Sequence, residues 1–213
     1  MKVLPKASRM SQRYPNFFHE RALANEGYLA VVGVDEAGAG ALAGPLVAAA
    51  VVLPISSRLG ELDDSKVKTT SARERLFDLI SSRAEALGVG VASVDEINTL
   101  GLRPANYLAM RRAIEAIPSA DFALVDAWTI PNLVIPQRGI IHGDHLVKSI
   151  AAASILAKVT RDRSMLALHE QFPAYAFDEH KGYGTQKHKK QLRAFGPCEA
   201  HRTSWECFKT IAL

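Results

Sequence analysis

The sequence predicts an α/β fold in which helices cover a mixed sheet. Apolar runs rich in Val, Leu and Ala lie close together early in the chain, at Tyr28–Asp35 and Pro45–Leu53, and a third follows at Gly88–Val94. Tight glycine turns early in the chain favour antiparallel pairing of these first strands. Beyond them the pattern becomes helix, strand, helix, the alternation expected when helices pack on a sheet.

The elements follow in order. Residues 16–27 read as a helix ahead of the first two strands. The stretch LDDSKVKTTSARERLFDLISSRAEAL reads as a loop and then a helix. There Ser71 and Glu74 have capping-box spacing, and Leu76, Leu79, Ile80 and Leu87 form an apolar stripe. After the third strand, Pro104 opens a helix that runs to Ile117, because its missing N–H costs nothing in a first turn. Phe122–Ala127 is a short buried strand and Leu133–Pro136 a candidate for another. Leu146–Gln171 is expected as one long helix. The tail holds a basic helix and an apolar anchor at Trp205–Phe208.

At 213 residues and 48% hydrophobic content, the chain suits one domain with a small C-terminal extension. Its two cysteines, Cys198 and Cys207, suggest no disulfide framework, so a reducing, cytoplasmic home is expected. The N-terminal stretch has no uninterrupted apolar segment, which argues against a signal peptide. The alanine-rich runs are too short to span a bilayer, so no membrane association is expected. The net charge of +4 permits nucleic acid without proving it. Much of the excess lies in HKGYGTQKHKKQLR from His180, which reads as a solvated face or as a path for a phosphate backbone.

The chemistry concentrates in VVGVDEAGAGALAGPLVAAAVVL, Val31 to Leu53. Asp35 and Glu36 sit side by side among small and apolar residues, where an ionised carboxylate is costly unless paired or holding a metal. Asp126 ends another apolar run, and Asp144 stands in a tight loop before a helix. These four form a candidate set of hard oxygen ligands, suited to Mg²⁺ or Mn²⁺. Each acid read alone could be a turn or N-cap residue, a reading strongest for Asp144. Zinc spacing of His and Cys is missing. A phosphate-cradling loop fits poorly, because Gly38, Gly40 and Gly44 give G-x-G-x-x-x-G and a strand-like run follows.

In combination, the motifs resemble those of ribonuclease HII from about Phe17 to Phe208. The matching segments are GVDEAGAGALAGPLVAAAVVL, DDSKVKT from Asp63, LVDA at Asp126, GD at Asp144, SIAAASILAKVTRDR from Ser149, HKGYGT from His180 and HRTSW from His201. The resemblance implies a ribonuclease H-like mixed five-stranded sheet flanked by helices, with a small helical C-terminal extension. It divides the chain into a tail at 1–16, a catalytic domain at 17–175 and an extension at 176–213 with a substrate-binding tyrosine. It also implies hydrolysis of RNA in RNA–DNA hybrids, and cleavage 5′ of single ribonucleotides embedded in duplex DNA. Asp35, Glu36, Asp126 and Asp144 would be catalytic and would hold two Mg²⁺ or Mn²⁺ ions, with Asp35 as the bridge.

Substrate contacts are expected from Gly38, Ala39 and Gly40, whose backbone can approach a 2′-OH closely. Tyr183 resembles the family tyrosine that stacks on the deoxyribose beyond the junction, and Lys66 resembles a phosphate contact. The family usually carries Arg between the two glycines, where this chain has Ala39, so impaired junction recognition is expected. His142 stands where Lys is common. Neither departure touches a carboxylate, but a catalytically weakened hybrid-binding module is the alternative reading. Gln191-Leu192-Arg193-Ala194-Phe195 is similar to bacterial sliding-clamp ligands, a short and weak pattern. A monomer is expected.

Overall fold

A computed structural model describes residues 14–57, 59, 62, 69–206 and 208. Helix α1 (Phe18–Asn25) precedes strands β1 (Val31–Ala37) and β2 (Leu46–Val52). Helix α2 (Thr70–Arg83), strand β3 (Ala86–Ala92) and helices α3 (Val94–Leu100) and α4 (Leu102–Glu115) follow. Next come β4 (Phe122–Asp126), β5 (Gln137–Ile140), the short α5 (Gly143–Leu146) and the long α6 (Lys148–Gln171). A 3-10 turn at Pro173–Tyr175 leads to α7 (Phe177–His180) and α8 (Gln186–Phe195).

Among the described residues the sheet has the order β3-β2-β1-β4-β5. β1 to β3 pair antiparallel, whereas β4 runs parallel to β1 and β5 parallel to β4. Both faces of the central strands are covered, which is why β1 and β2 are continuous apolar runs. Val32, Val34, Ala48 and Ala50 pack beneath Ala109 and Ala113 of α4. Ala49 and Val51 meet Ala152, Ile155 and Leu156 of α6 on the other face. α6 can lie this close because Gly33 has no side chain: a Cβ there would stand 2.2 Å from the Ser149 backbone.

Several element boundaries differ from the expected ones, each for a local reason. The first helix is shorter than 16–27, and the first strand starts at Val31 rather than Tyr28. α2 takes Thr69 as its N-cap, with Oγ1 accepting from Ala72 N–H at 3.2 Å, so Ser71 lies inside the first turn and the Ser71–Glu74 box does not form. Leu87 belongs to edge strand β3, where it is exposed, and not to the helical stripe. The true capping box is Ser93–Glu96; it stops β3 at Ala92 and starts α3, a helix absent from the sequence reading. The fifth strand begins after Pro136, not at Leu133, since proline has no N–H to give a ladder. The expected long helix is broken at Val147, held extended by a bridge to Asn16. There Asn16 N–H donates to Leu146 O and Lys148 N–H donates to Asn16 O.

Glu20 fixes the start of α6. Its Oε1 accepts from Ser149 N–H at 2.9 Å and from Ser149 Oγ at 2.8 Å. The carboxylate thus satisfies a donor that the first turn of a helix leaves free. Burial raises the Glu20 pKa, and the Ser149 hydrogen bonds oppose that rise.

Candidate active site

The parallel pairing of β1 with β4 brings the acids together. Val34 lies opposite Val125, so Asp35 and Asp126, one residue further along each strand, end up side by side. Asp35, Glu36, Asp126 and Asp144 all line one pocket of about 400 Å³. Gly38, Ala39, Gly40 and Tyr183 line the same pocket. Lys66 lies outside the described residues, as does Asp63–Lys68 of its motif.

The carboxylates are held by their own backbone surroundings. Asp126 Oδ1 accepts from Gly143 N–H at 2.7 Å, tying the end of β4 to the turn that carries Asp144. His142 makes that turn in the left-handed region, φ 58°. Asp144 Oδ2 lies 3.5 Å from His145 Nε2. Asp35 Oδ1 accepts from Glu36 N–H at 2.7 Å. Burial pushes the Asp35 carboxyl well above the usual carboxylate range; the neighbouring Glu36 and Asp126 charges push the same way, and a hydrogen bond from Ser154 opposes them. Asp35 and Asp144 are buried and Glu36 and Asp126 half-buried, and such a mutually repelling set of hard oxygens is a donor set for divalent cations. Among the described residues no three acids, histidines or cysteines close into a ready-made metal cage, so the four acids line the pocket without clasping one point.

Three polar residues of this pocket were not singled out from the sequence: Arg73, Ser154 and Lys158. Ser154, Lys158 and Asp162 recur every fourth residue of α6 and so share one face. Lys158 Nζ donates to Asp162 Oδ1 at 2.6 Å and stands 5.8 Å from the centre of the Tyr183 ring. That polar stripe on an otherwise buried helix was the available signal.

The glycine segment is shaped from beneath by two buried arginines. Gly38 has φ +95°, and a Cβ there would lie 1.9 Å from Arg161 Nε, so only glycine fits. Arg161 donates to the carbonyls of Pro45, Ala43 and Lys181. Arg202 donates to those of Ala39, Gly44 and Pro45. Burial lowers the pKa of both guanidiniums, that of Arg202 to about 9. Tyr183 is held by a bridge to Ala41 and by Arg161, whose Cζ lies 5.3 Å from its ring centre. It is partly exposed at the pocket wall rather than buried in the core.

A row of histidines supports Tyr183 from behind. His188 Nδ1 lies 3.0 Å from the Tyr183 carbonyl, and His188 Nε2 lies 3.1 Å from His201 Nε2. His180 stacks on His188 with ring centres 4.3 Å apart. Burial, and secondarily a neighbouring histidine, brings His188 and His201 each down to about 4.

The basic run forms α8. Lys189 and Lys190 are exposed, while Lys187 pairs with Glu179 at 2.5 Å and Lys181 Nζ donates to the Asp178 carbonyl. In the clamp-like pattern Leu192 is 1% exposed and packs in the core, Gln191 reaches His180, and Phe195 is 61% exposed.

Comparison with known proteins agrees with this fold. The family described as Ribonuclease HII matches residues 32–208. A Ribonuclease HII of Burkholderia cenocepacia is 53% identical over 176 residues, covering 82% of each chain. The solved ribonuclease H2 of Pyrococcus horikoshii superposes with a TM-score of 0.72 at 25% identity, over 86% of this chain and 97% of that one. The RNase HII of Archaeoglobus fulgidus, solved as a complex with PCNA, gives 0.69 at 25% identity over 84% and 96%.

Proposed function

Because the chain belongs to the ribonuclease HII family, we propose that its four-carboxylate pocket cuts the ribonucleotide-bearing strand with the help of two divalent metal ions. The chain is a ribonuclease H, an endonuclease for RNA in RNA–DNA hybrids. The convergence of Asp35, Glu36, Asp126 and Asp144 on one pocket carries the finer reading. Asp35, at the centre of the sheet and with a raised pKa, would hold the Mg²⁺ or Mn²⁺ ions together with Glu36, Asp126 and Asp144. Bound ions supply an activated water and offset the charge that builds on the phosphate.

The chain's own residues do the rest. The backbone of Gly38–Gly40 meets the ribose, where the 2′-OH marks RNA. Tyr183 takes the face of the next deoxyribose, and Lys158 adds a positive charge beside it. Cleavage 5′ of a single embedded ribonucleotide is the proposed outcome. Residues 176–213 serve as the substrate-binding extension, because Tyr183 and the exposed Lys189 and Lys190 come from it. Lys66 is a proposed phosphate contact. The reading as a catalytically weakened binding module draws no support from the pocket, which all four acids line.

Ala39 lines the pocket with a methyl group where the family usually has Arg. A charge-assisted hydrogen bond to a phosphate is worth about 1.5–3 kcal/mol, so its loss corresponds to roughly ten- to a hundredfold in kcat/KM. A clamp contact is proposed by analogy with the Archaeoglobus protein; within the clamp-like pattern Phe195 is the exposed apolar residue that could serve it. A cytoplasmic location is our reading, and no helix among the described residues is long and apolar enough to cross a membrane.

The test is cleavage of a single-ribonucleotide duplex and of a long hybrid, with Mg²⁺ and with Mn²⁺. Metal-dependent incision 5′ of the lone ribonucleotide is expected, and incision elsewhere or without metal overturns the reading. Ala39→Arg should raise kcat/KM on the single-ribonucleotide duplex most; no gain there removes position 39 from junction recognition.

A further inference from the structure

Beside the acidic pocket lies a second concavity of about 170 Å³. Glu36, Ala39 and Asp126 line both, so the two are continuous across the carboxylates. Tyr183 lines only the first, and Trp128 lines only the second. An aromatic ring therefore stands at each end of one trough, with the acids between.

Trp128 is 69% exposed, unusual for so large an apolar ring. Its backbone is nonetheless held. Ala127 sits in the left-handed region at φ 58°, and Trp128 N–H donates to Asp126 O at 2.7 Å. The opposite wall is the first two turns of α4, which present Arg103, Asn106 and Tyr107. Asn106 Oδ1 is buried and has no hydrogen-bond partner among the described residues. A buried amide oxygen without a donor is unfavourable, and a ligand hydroxyl would relieve it.

We infer that Trp128, Asn106 and Arg103 form a subsite for the sugar–phosphate unit on the side of the scissile linkage away from Tyr183, and that this subsite favours ribose. The inference rests on the proposed function, since it takes the substrate strand to run through the acidic pocket. In a duplex the bases stay stacked, so a surface ring meets the sugar and not the base. The sugar face lies against the indole of Trp128. The 2′-OH donates to Asn106 Oδ1, which a deoxyribose could not do. The Arg103 guanidinium neutralises the adjoining phosphate.

Two substrates separate these roles. In a continuous hybrid the nucleotide upstream of the cut is a ribonucleotide; in a duplex with one embedded ribonucleotide it is a deoxynucleotide. Trp128→Ala should raise KM about tenfold on both, with kcat changed less than about threefold, as expected for a lost stacking contact. Trp128→Phe should restore most of the loss. Asn106→Ala should lower the ratio of kcat/KM on hybrid to that on the single-ribonucleotide duplex by about tenfold. An unchanged KM in Trp128→Ala, or an unchanged ratio in Asn106→Ala, overturns the subsite. Metal-free binding of the same fluorescently labelled duplexes, read by anisotropy, tests it without cleavage. There Trp128→Ala should weaken Kd about tenfold, and an equal Kd overturns it. Failure of the wild type to cut either substrate would instead sink the proposed function, and the anisotropy would still decide the subsite.

Discussion

Two groups of charge, the acidic one half-buried at Glu36 and Asp126, lie on either side of residues 38–45. On the pocket side are the four carboxylates; beneath are the guanidiniums of Arg161 and Arg202. Most of the arginines' donors go to backbone carbonyls of the segment between, with Arg161 also reaching Lys181 O, while Arg161 Nη1 is buried without a partner among the described residues. The acids are arranged otherwise. Asp35 accepts from Glu36 N–H and Ser154, yet its pKa remains raised well above normal. The arginine cluster is largely satisfied by backbone when the chain folds, whereas the acidic cluster keeps a raised Asp35 pKa that the proposed metal ions would offset.

The comparison breaks most visibly at Asp35. Asp35→Asn should leave less than about a tenth of the hydrolysis, because a lost metal ligand costs several kcal/mol. Its folding should improve when metal is absent. Asp35 has a folded pKa above its unfolded value, so its contribution to stability falls as pH rises above about 3.8. Asparagine removes that cost. Melting curves at pH 7 with and without Mg²⁺ check both points: the variant should melt higher without metal and gain less from it. A lower metal-free melting temperature would mean that Asp35 serves the fold as the arginines do.

Arg202→Met should do the reverse, weakening the fold first. It strips donors from the Ala39 and Gly44 carbonyls, and each orphaned buried group costs about 1–3 kcal/mol. Relief of guanidinium desolvation offsets part of this, leaving a net loss of about 2 kcal/mol in urea unfolding.

The histidines sharpen the contrast by pH. Those at 188 and 201 titrate near 4 when folded and near 6.5 when unfolded. The unfolded chain therefore binds more protons between these values. Stability is intact above about pH 6.5 and falls as pH drops towards 4, by up to about 3 kcal/mol for each histidine. Unfolding curves at pH 7, 5.5 and 4.5 measure the decline, and His201→Gln should flatten it.

The smallest effect belongs to the surface. Lys189→Ala with Lys190→Ala should flatten the dependence of log affinity on log salt by about 0.9 per lost phosphate contact. The melting temperature should stay put. An unaltered slope returns α8 to an ordinary solvated helix face.

Much of the acidic cluster was legible in the sequence, and almost none of the arginine one. Asp35 and Glu36 stand out because carboxylates are out of place in an apolar strand, and Asp126 because it ends one. Asp144 was chosen for its place in a tight loop before a helix, a weaker signal, since an acid there has an ordinary capping role. Arg161 and Arg202 fall in the family-like segments SIAAASILAKVTRDR and HRTSW, but nothing there marked them as a buried pair, because they are far apart in sequence and their partners are backbone carbonyls. Trp128 was silent for a related reason, because exposure is a property of the surroundings and not of the residue. The fold class and antiparallel first strands were readable from apolar runs and glycines. The break at Val147 was not, because it depends on Asn16, far earlier in the chain.

Helix α6 also acts as a ruler. Its 24 residues extend about 36 Å, and Glu20 pins the zero mark at Ser149. Ser154 and Lys158 are read off at the acids, Arg161 at the glycine segment, and Met165 against Gly44. The acids of the pocket and Tyr183 are thus indexed to one rigid scale. A single residue inserted between Ser154 and Lys158 would turn every later mark by about 100°, putting the two halves of the site out of phase while each kept its own fold.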